Sequence, residues 1–496
     1  MTSLIQNITS KADMLARIEK MNAFGPRLTG NSAHKAFIKY LKDEIHSLGI
    51  ETYTDPYFFN RWEEKNSSLI IHTETGDKDV HISSVFPYSG ETASDGVTAE
   101  LVHITDQRLG FLGLDGKIAV VKIDELNFLP SSIAFHIRNR RPETASIPEK
   151  YNGPVATAFV NFPFLQNAKF AGCKGVICIW DGMSNEMIEG QYLPFILDYQ
   201  DLPCVWINST DGQAVLSAAE RHTEATLILE AEKENNCETE SFYCILPGKN
   251  TSEAIIINTH TDGTNCIEEN GPIAMLSMLK YYAAKELERT LIFIFATGHF
   301  RLPDFKTASG GGVQATSKWL AAHQDLWDGK KGHIKAVACV SIEHLGSVMW
   351  KDRFGVYQKV GNVETELVYT GNKKLDEIYY KCLDGRDNVN TVTLRGHNFL
   401  HFGEGQPPFN CGIPEISLVT APDCLTVISK SNEMDKFDID LMYEQTDTFL
   451  KITDTLLPMP ASEIGKCDGY SWVFPDGEPF VYKTLKKVFK KNKTVH

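Results

Sequence analysis

The stretch Ala254–Asp262, AIIINTHTD, reads as a strand that is buried along its length and ends in polar side chains. Its run Ala-Ile-Ile-Ile has no polar face to turn to water, so both sides of the strand must be covered. The pattern recurs in Thr290–His299 (TLIFIFATGH), Lys335–Gly346 (KAVACVSIEHLG) and Pro414–Thr420 (PEISLVT). Between the first two lies Gly271–Arg289, GPIAMLSMLKYYAAKELER, a helix with Pro272 well suited to its start. Strands alternating with helices predict an α/β fold, a mixed and mostly parallel sheet sandwiched by helices. In such sheets the working groups collect beyond the carboxyl ends of the strands.

Three of these strands end in groups that bind metal ions. Ala254–Thr259 leads into His260-Thr261-Asp262, Thr290–Gly298 into His299, and the third strand into Glu343-His344. Imidazoles and carboxylates held on rigid elements are what a zinc site requires. Asp262 is placed to accept the second N–H of His260 and fix the ring. Glu268 and Glu269 follow in the next loop, where the start of a helix would favour acids in any case. A single His at a strand end usually makes only a structural hydrogen bond; the metal reading rests on all of these falling on one sheet edge.

Towards the N-terminus, Asp13–Ala23 has helical spacing of Met14, Leu15, Ile18 and Met21, and Gly25-Pro26 ends that helix. A second helix, capped by Asn31 or Ser32, buries Phe37, Leu41, Ile45 and Leu48. From about Ser89 to Ala231 the chain changes to short strands punctuated by glycine, a βαβ-like unit interrupting the first fold. At 496 residues the chain exceeds one ordinary core. Two units follow: residues 1–88 with 236–496, and an insertion at 89–235.

The formal net charge of −15 excludes nucleic acid as a main partner, which would need a basic footprint. The basic tail 483–496 reads as a solvated terminus. No run of apolar residues is long enough to span a membrane, and residues 1–21 lack the apolar core of a secretory signal. A cytoplasmic location is expected. The 11 cysteines form no Cys-x-x-Cys pair and read as reduced thiols.

The motifs GPRLTGNSAHKAFIKYLKDEIHSLGIE (25–51), LPGKNTSEAIIINTHTD (246–262), GIPEISL (412–418) and KFDIDLMYEQTDTFLKI (436–452) together resemble one family. It is the zinc-dependent aminopeptidase family that includes bacterial leucyl aminopeptidases, glutamate carboxypeptidase and the transferrin receptor. The 89–235 unit is similar to the protease-associated domain carried by many members. The resemblance implies a metal site, but the residues at its positions have changed. The first ligand maps onto His260, with its HxD partner Asp262. The bridging Asp falls at Ile267, and a one-residue shift brings in Glu268. The family's Glu-Glu pair, general base then ligand, appears as Gly298-His299. The third-strand Asp becomes Glu343, and the last His becomes Leu425.

These residues imply a site of His260, Glu268, His299 and Glu343 holding a divalent metal, zinc foremost, and one ion rather than two. With Gly298 at the base position, Glu269, Glu404 and His344 are the replacement candidates, in that order; His397 and His401 are spare groups near the same edge. The expected activity is metal-dependent hydrolysis of an amide bond in a small peptide or amino-acid conjugate. The alternatives are a catalytically silent homologue that binds a partner, and a cyclase or lyase on the same fold. Homo-oligomer formation is left open.

Overall fold

The computed structural model describes residues 3–105, 110–124, 133–134, 136–147, 153–161, 164–353, 355–397 and 400–468. The basic tail lies outside them. The strands that organise the chain are β1 (Tyr53–Thr73), β2 (Val97–Ile104), β3 (Ile118–Ile123), β4 (Gly175–Trp180), β5 (Cys204–Ile207), β6 (Glu224–Leu246), β7 (Asn250–His260), β8 (Arg289–Ala296), β9 (Lys335–Ile342), β10 (Glu366–Thr370), β11 (Thr391–Arg395) and β12 (Glu415–Val419). They join one sheet in the order β5-β4-β3-β2-β6-β8-β7-β9-β12-β10-β11. The four strands β8, β7, β9 and β12 run parallel, so their carboxyl ends share one edge.

The four apolar runs are these four strands, each buried throughout apart from the first residues of β7 and β9. Period-two alternation divides each between two cores. Ile255, Ile257, Phe293, Phe295 and Val340 face one side. There they meet α1 (Lys11–Asn22), α2 (Ser32–Ser47), α3 (Gly271–Ala283) and α5 (Ile439–Leu456). Ile256, Ile292, Ile294 and Cys339 face the other, against Trp319 and Leu320 of α4 (Thr316–Ala322). Asn31 is the cap of α2, its side chain accepting the His34 N–H at 2.9 Å.

Strands β2 to β5 form a parallel group with the helices Phe164–Phe170 and Ser209–Glu220, as the βαβ pattern suggested. This group is joined to the main sheet through β6, a 23-residue strand paired antiparallel with the 21-residue β1. Residues 235 and 236, at the boundary read from the sequence, lie within β6 rather than in a linker. A polar strand that pairs along its whole length gives no composition break to read.

No described helix is long and apolar enough to cross a membrane. Phe293, wholly buried in β8, tests the two-sided core: Phe293→Ala is expected to cost about 3–5 kcal/mol in chemical denaturation. A loss below about 1 kcal/mol would be incompatible with its place in a packed central strand.

Candidate metal centre

The polar edge begins with β7. By alternation His260 shares its face with Asn258, as Glu343 does with Ser341, and the Ser341 hydroxyl donates to the Asn258 side-chain oxygen at 2.5 Å. That tie joins β7 to β9 one step below the site. His344 would ordinarily point to the opposite face from Glu343. It adopts φ +55°, a left-handed conformation costly for a β-carbon-bearing residue. The bend turns both neighbouring side chains towards the same centre.

The imidazoles of His260 and His344 have their Nδ1 atoms fixed by backbone carbonyls. His260 donates to Asp262 O at 2.8 Å, and His344 to Thr420 O at 2.7 Å. Both Nε2 atoms therefore carry lone pairs. His260 Nε2 lies 3.8 Å from Glu343 Oε2, and His344 Nε2 lies 3.6 Å from Glu268 Oε1 and 3.9 Å from Glu343 Oε2. Both Nε2 atoms, both oxygens of Glu268 and Oε2 of Glu343 are buried with no hydrogen-bond partner in the structure. Ligand atoms of His260, Glu268 and His344 lie within 4.8 Å of one another. A set of converging, unsatisfied N and O donors is unfavourable on its own and fits a divalent cation.

The proton affinities agree. Burial pushes Glu268 well above the carboxylate range, with Glu269 adding repulsion, and it lifts Glu343 to about 8, helped by Glu404. Burial also drives His260 down to about 4 and His344 well below its usual value. Left to themselves, these groups are neutral. A divalent cation held there would supply the counter-charge that lets the two carboxylates ionise.

His299 and His344, expected as a ligand and a replacement base, both have Nε2 3.6 Å from Glu268 Oε1. His344, expected as a base, belongs to the three-residue cluster. His299, expected as a ligand, stacks on the His260 ring at 4.2 Å and donates from Nδ1 to Glu404 Oε1 at 3.1 Å. Its Nε2 lies 3.6 Å from Glu268 Oε1. Glu404 also accepts the N–H groups of Ala315 (3.2 Å) and Thr316 (2.7 Å) at the start of α4. Burial opposes charge on both partners, yet their mutual interaction outweighs it, raising His299 and lowering Glu404. Glu269, the first base candidate, is held in a buried ion pair with Arg27, and burial raises it to about 7. His397 and His401 stand apart: one packs against His136, and the other stacks on Tyr369 at 4.0 Å.

Asp262 also behaves differently. His260 binds its backbone carbonyl, which leaves the carboxylate for another task. Oδ1 accepts Gly298 N–H at 3.0 Å and His299 N–H at 3.2 Å; Oδ2 accepts Phe300 N–H at 2.9 Å and the Thr29 hydroxyl at 2.5 Å. Burial works against its charge, but the imidazoles of His34 and His260 and these donors hold it below the ordinary range. Sequence reasoning missed Arg27, Thr29 and His34, although all three lie in the quoted 25–51 motif. Its apolar stripe was read as a helix, and nothing in the periodicity marked the polar residues before it as buried. Gly298 is fixed by its surroundings too: φ is +108°, and a β-carbon would strike the Phe305 ring.

No protein-family model matches the sequence, and no curated protein sequence matches it. Solved structures do resemble the fold. An aminopeptidase from Aneurinibacillus sp. strain AM-1 is 17% identical, with 90% of this chain and 94% of that one aligned and a TM-score of 0.59. A zinc aminopeptidase from Bacillus subtilis is 15% identical over 92% and 97% of the two chains, with a TM-score of 0.62. A peptidase M28 precursor from Shewanella amazonensis SB2B is 14% identical over 90% and 92%, with a TM-score of 0.61. The architecture is therefore the aminopeptidase fold of these proteins.

Asp262→Asn keeps the shape but replaces one acceptor with a donor facing backbone N–H groups. It is expected to lower stability by roughly 3–5 kcal/mol; a neutral result in thermal unfolding would rule out the network. Gly298→Glu is expected to destabilise by about 2 kcal/mol or more, because the Phe305 ring occupies the space a side chain would take. Parent-like thermal unfolding in that variant would show that the Phe305 ring does not exclude a side chain there.

Proposed function

We propose that the chain is a metal-dependent hydrolase that cleaves an amide bond in a small peptide or amino-acid conjugate. The observation that carries this reading is the convergence of His260 Nε2, His344 Nε2, both Glu268 oxygens and Glu343 Oε2, all buried and without a hydrogen-bond partner among the described residues. His260, Glu268 and His344 hold one divalent ion, zinc foremost, with Glu343 beside them as a further oxygen donor. When bound, such an ion polarises a carbonyl and lowers the pKa of water from about 16 towards about 7.

The residues of the chain supply the rest. His299, oriented through Nδ1 by Glu404, presents Nε2 towards Glu268. A carboxylate-imidazole pair of this kind takes a proton from attacking water and returns it to the leaving nitrogen. Glu404 acts through His299 rather than on substrate, and Glu269 steadies the ligand loop through Arg27. Burial of the cluster excludes bulk water, which strengthens each of these interactions. Residues 89–235 are read as a protease-associated-like unit covering the site. The names of the similar solved structures support a peptidase reading of the fold and leave the substrate to experiment.

A second reading, a silent homologue that binds a partner, draws on one observation. The Phe305 ring fills the space that a side chain at Gly298 would need, so the family base has no room to return. Elemental analysis separates the two readings. A hydrolase should carry about one equivalent of zinc, lost in His260→Ala. Its turnover of small peptide amides should fall ~10²–10⁴-fold in His299→Gln with metal retained. A chain that takes up no metal under replete conditions supports the binding reading instead.

Stability should also depend on pH in a set direction. Burial raises folded Glu343 to about 8 and Glu269 to about 7, above the unfolded value of about 4.3. Their contribution is full below the unfolded value and lost as pH rises through the folded ones. The raised value of His299 acts in the same direction. Above about pH 7.5 the lowered imidazoles of His260 and His344 are almost entirely neutral in both states and do not oppose the trend. The Tm of chelator-treated protein is therefore expected to fall from about pH 7.5 to 8.5, and zinc to reverse much of that fall. A Tm that rises with pH over this interval would refute the assignment.

A further inference from the structure

The loop that carries Glu268 is tied to a second loop by one wholly buried side chain, Asn265. Its Oδ1 accepts Ile267 N–H at 3.0 Å and Glu268 N–H at 3.4 Å. Its amide nitrogen faces three backbone carbonyls of the second loop: Cys424 (3.1 Å), Leu425 (2.9 Å) and Val427 (3.0 Å). The Thr264 hydroxyl adds a bond to Leu425 O at 3.0 Å. Leu425, where the resemblance expected the last ligand, thus serves through its backbone.

The same second loop is gripped from its other side by Gly190–Tyr192, which belongs to the 89–235 segment. Gln191 is fully buried and donates to Asp423 O at 2.7 Å, while the Thr426 hydroxyl donates to Gln191 Oε1. Tyr192 N–H donates to Thr426 O at 2.9 Å, and Ile428 N–H to Gly190 O at 2.8 Å, an antiparallel bridge centred on Gln191 and Val427. A few residues on, Phe195 lies against the rings of His299 (5.5 Å) and Phe300 (4.6 Å). One short segment therefore contacts His299, the ring stacked on His260, with one end and grips the 423–428 loop with the other.

The 190–195 segment packs through Phe195 against His299, the ring stacked on His260 of the buried cluster, and its displacement would open that side of the cluster. That movement breaks the bonds between Gln191 and the 423–428 loop, and this loop supplies every carbonyl that holds the Asn265 amide. We infer that Gln191 and Asn265 are positioning residues that couple seating of the 190–195 segment to placement of Glu268. Seating the segment sets the metal ligand, and lifting it loosens that ligand. The inference rests on the metal reading above, and it assigns a role to two residues that touch neither metal nor substrate.

The full-length chain tests it with two readouts. Zinc affinity is measured by competition with a chromophoric chelator, and amide hydrogen exchange is followed at 190–195 and 265–270. Gln191→Ala is expected to weaken zinc binding ~10–100-fold, the range for residues that orient metal ligands, and to speed exchange at 265–270 as well as at 190–195. Asn265→Asp retains the acceptor for Ile267 and Glu268 but loses the donors to the second loop, and should act likewise. The double variant should be no weaker than the more severe single one. Thr426→Val removes one bond at nearly constant volume and serves the same test if Gln191→Ala does not fold. Parent-like zinc affinity and parent-like 265–270 exchange in Gln191→Ala or Thr426→Val would overturn the coupling. If the parent binds no zinc, or His260→Ala binds it equally, the metal reading fails by itself, and exchange at 265–270 alone decides the relay.

Discussion

The carboxylate of Asp262 takes four donors from the chain itself, and the geometry of the site depends on that. Three of the donors are successive backbone N–H groups of Gly298, His299 and Phe300, and the fourth is the Thr29 hydroxyl. A buried anion is tolerated only when it is paired this fully. By gathering the three N–H groups it forces the chain to turn sharply after β8. The turn is left-handed at Gly298, and it carries His299 back over His260. The backbone carbonyl of the same residue fixes the His260 ring. One residue thus sets the tautomer of one imidazole and the position of another.

Around this anchor, the site is assembled from paired devices of opposite character. His260 and His344 are held by backbone carbonyls so that their Nε2 atoms remain acceptors. His299 is held by a carboxylate, which favours charge on its ring. Glu404 is fixed in turn by the first N–H groups of α4, a favourable place for an anion. Glu268 and Glu343 Oε2 are left without donors, whereas Glu269 is neutralised by Arg27. The division separates buried groups left without a partner from groups paired with an opposite charge, and His299, of the second kind, stacks directly on His260 of the first.

Much of this was legible in the residues. The runs at 254–260, 290–296, 335–342 and 415–419 are apolar on both faces, which only a covered parallel sheet explains, and the polar ends of such strands mark the site. The apolar spacing at 13–23 located the first helix, and the motif at 25–51 the second. What stayed hidden depends on single backbone angles or on long-range contacts. Nothing local signals that His344 adopts positive φ and so joins Glu343 on one face. Nor does local sequence show that Glu404, 105 residues from His299 in the chain, would take its Nδ1 proton as a hydrogen bond. Arg27 looked like part of a helix entry, because a buried ion pair with Glu269 leaves no periodic trace.

X-ray absorption at the zinc edge of the loaded, full-length protein reads the ligand set itself. A centre built on His260, Glu268 and His344 should show nitrogen and oxygen neighbours only, at about 2.0–2.2 Å, with multiple scattering from two imidazoles that falls to one in His344→Ala. Sulfur at about 2.3 Å, or an imidazole count unchanged in His344→Ala, would rule that centre out.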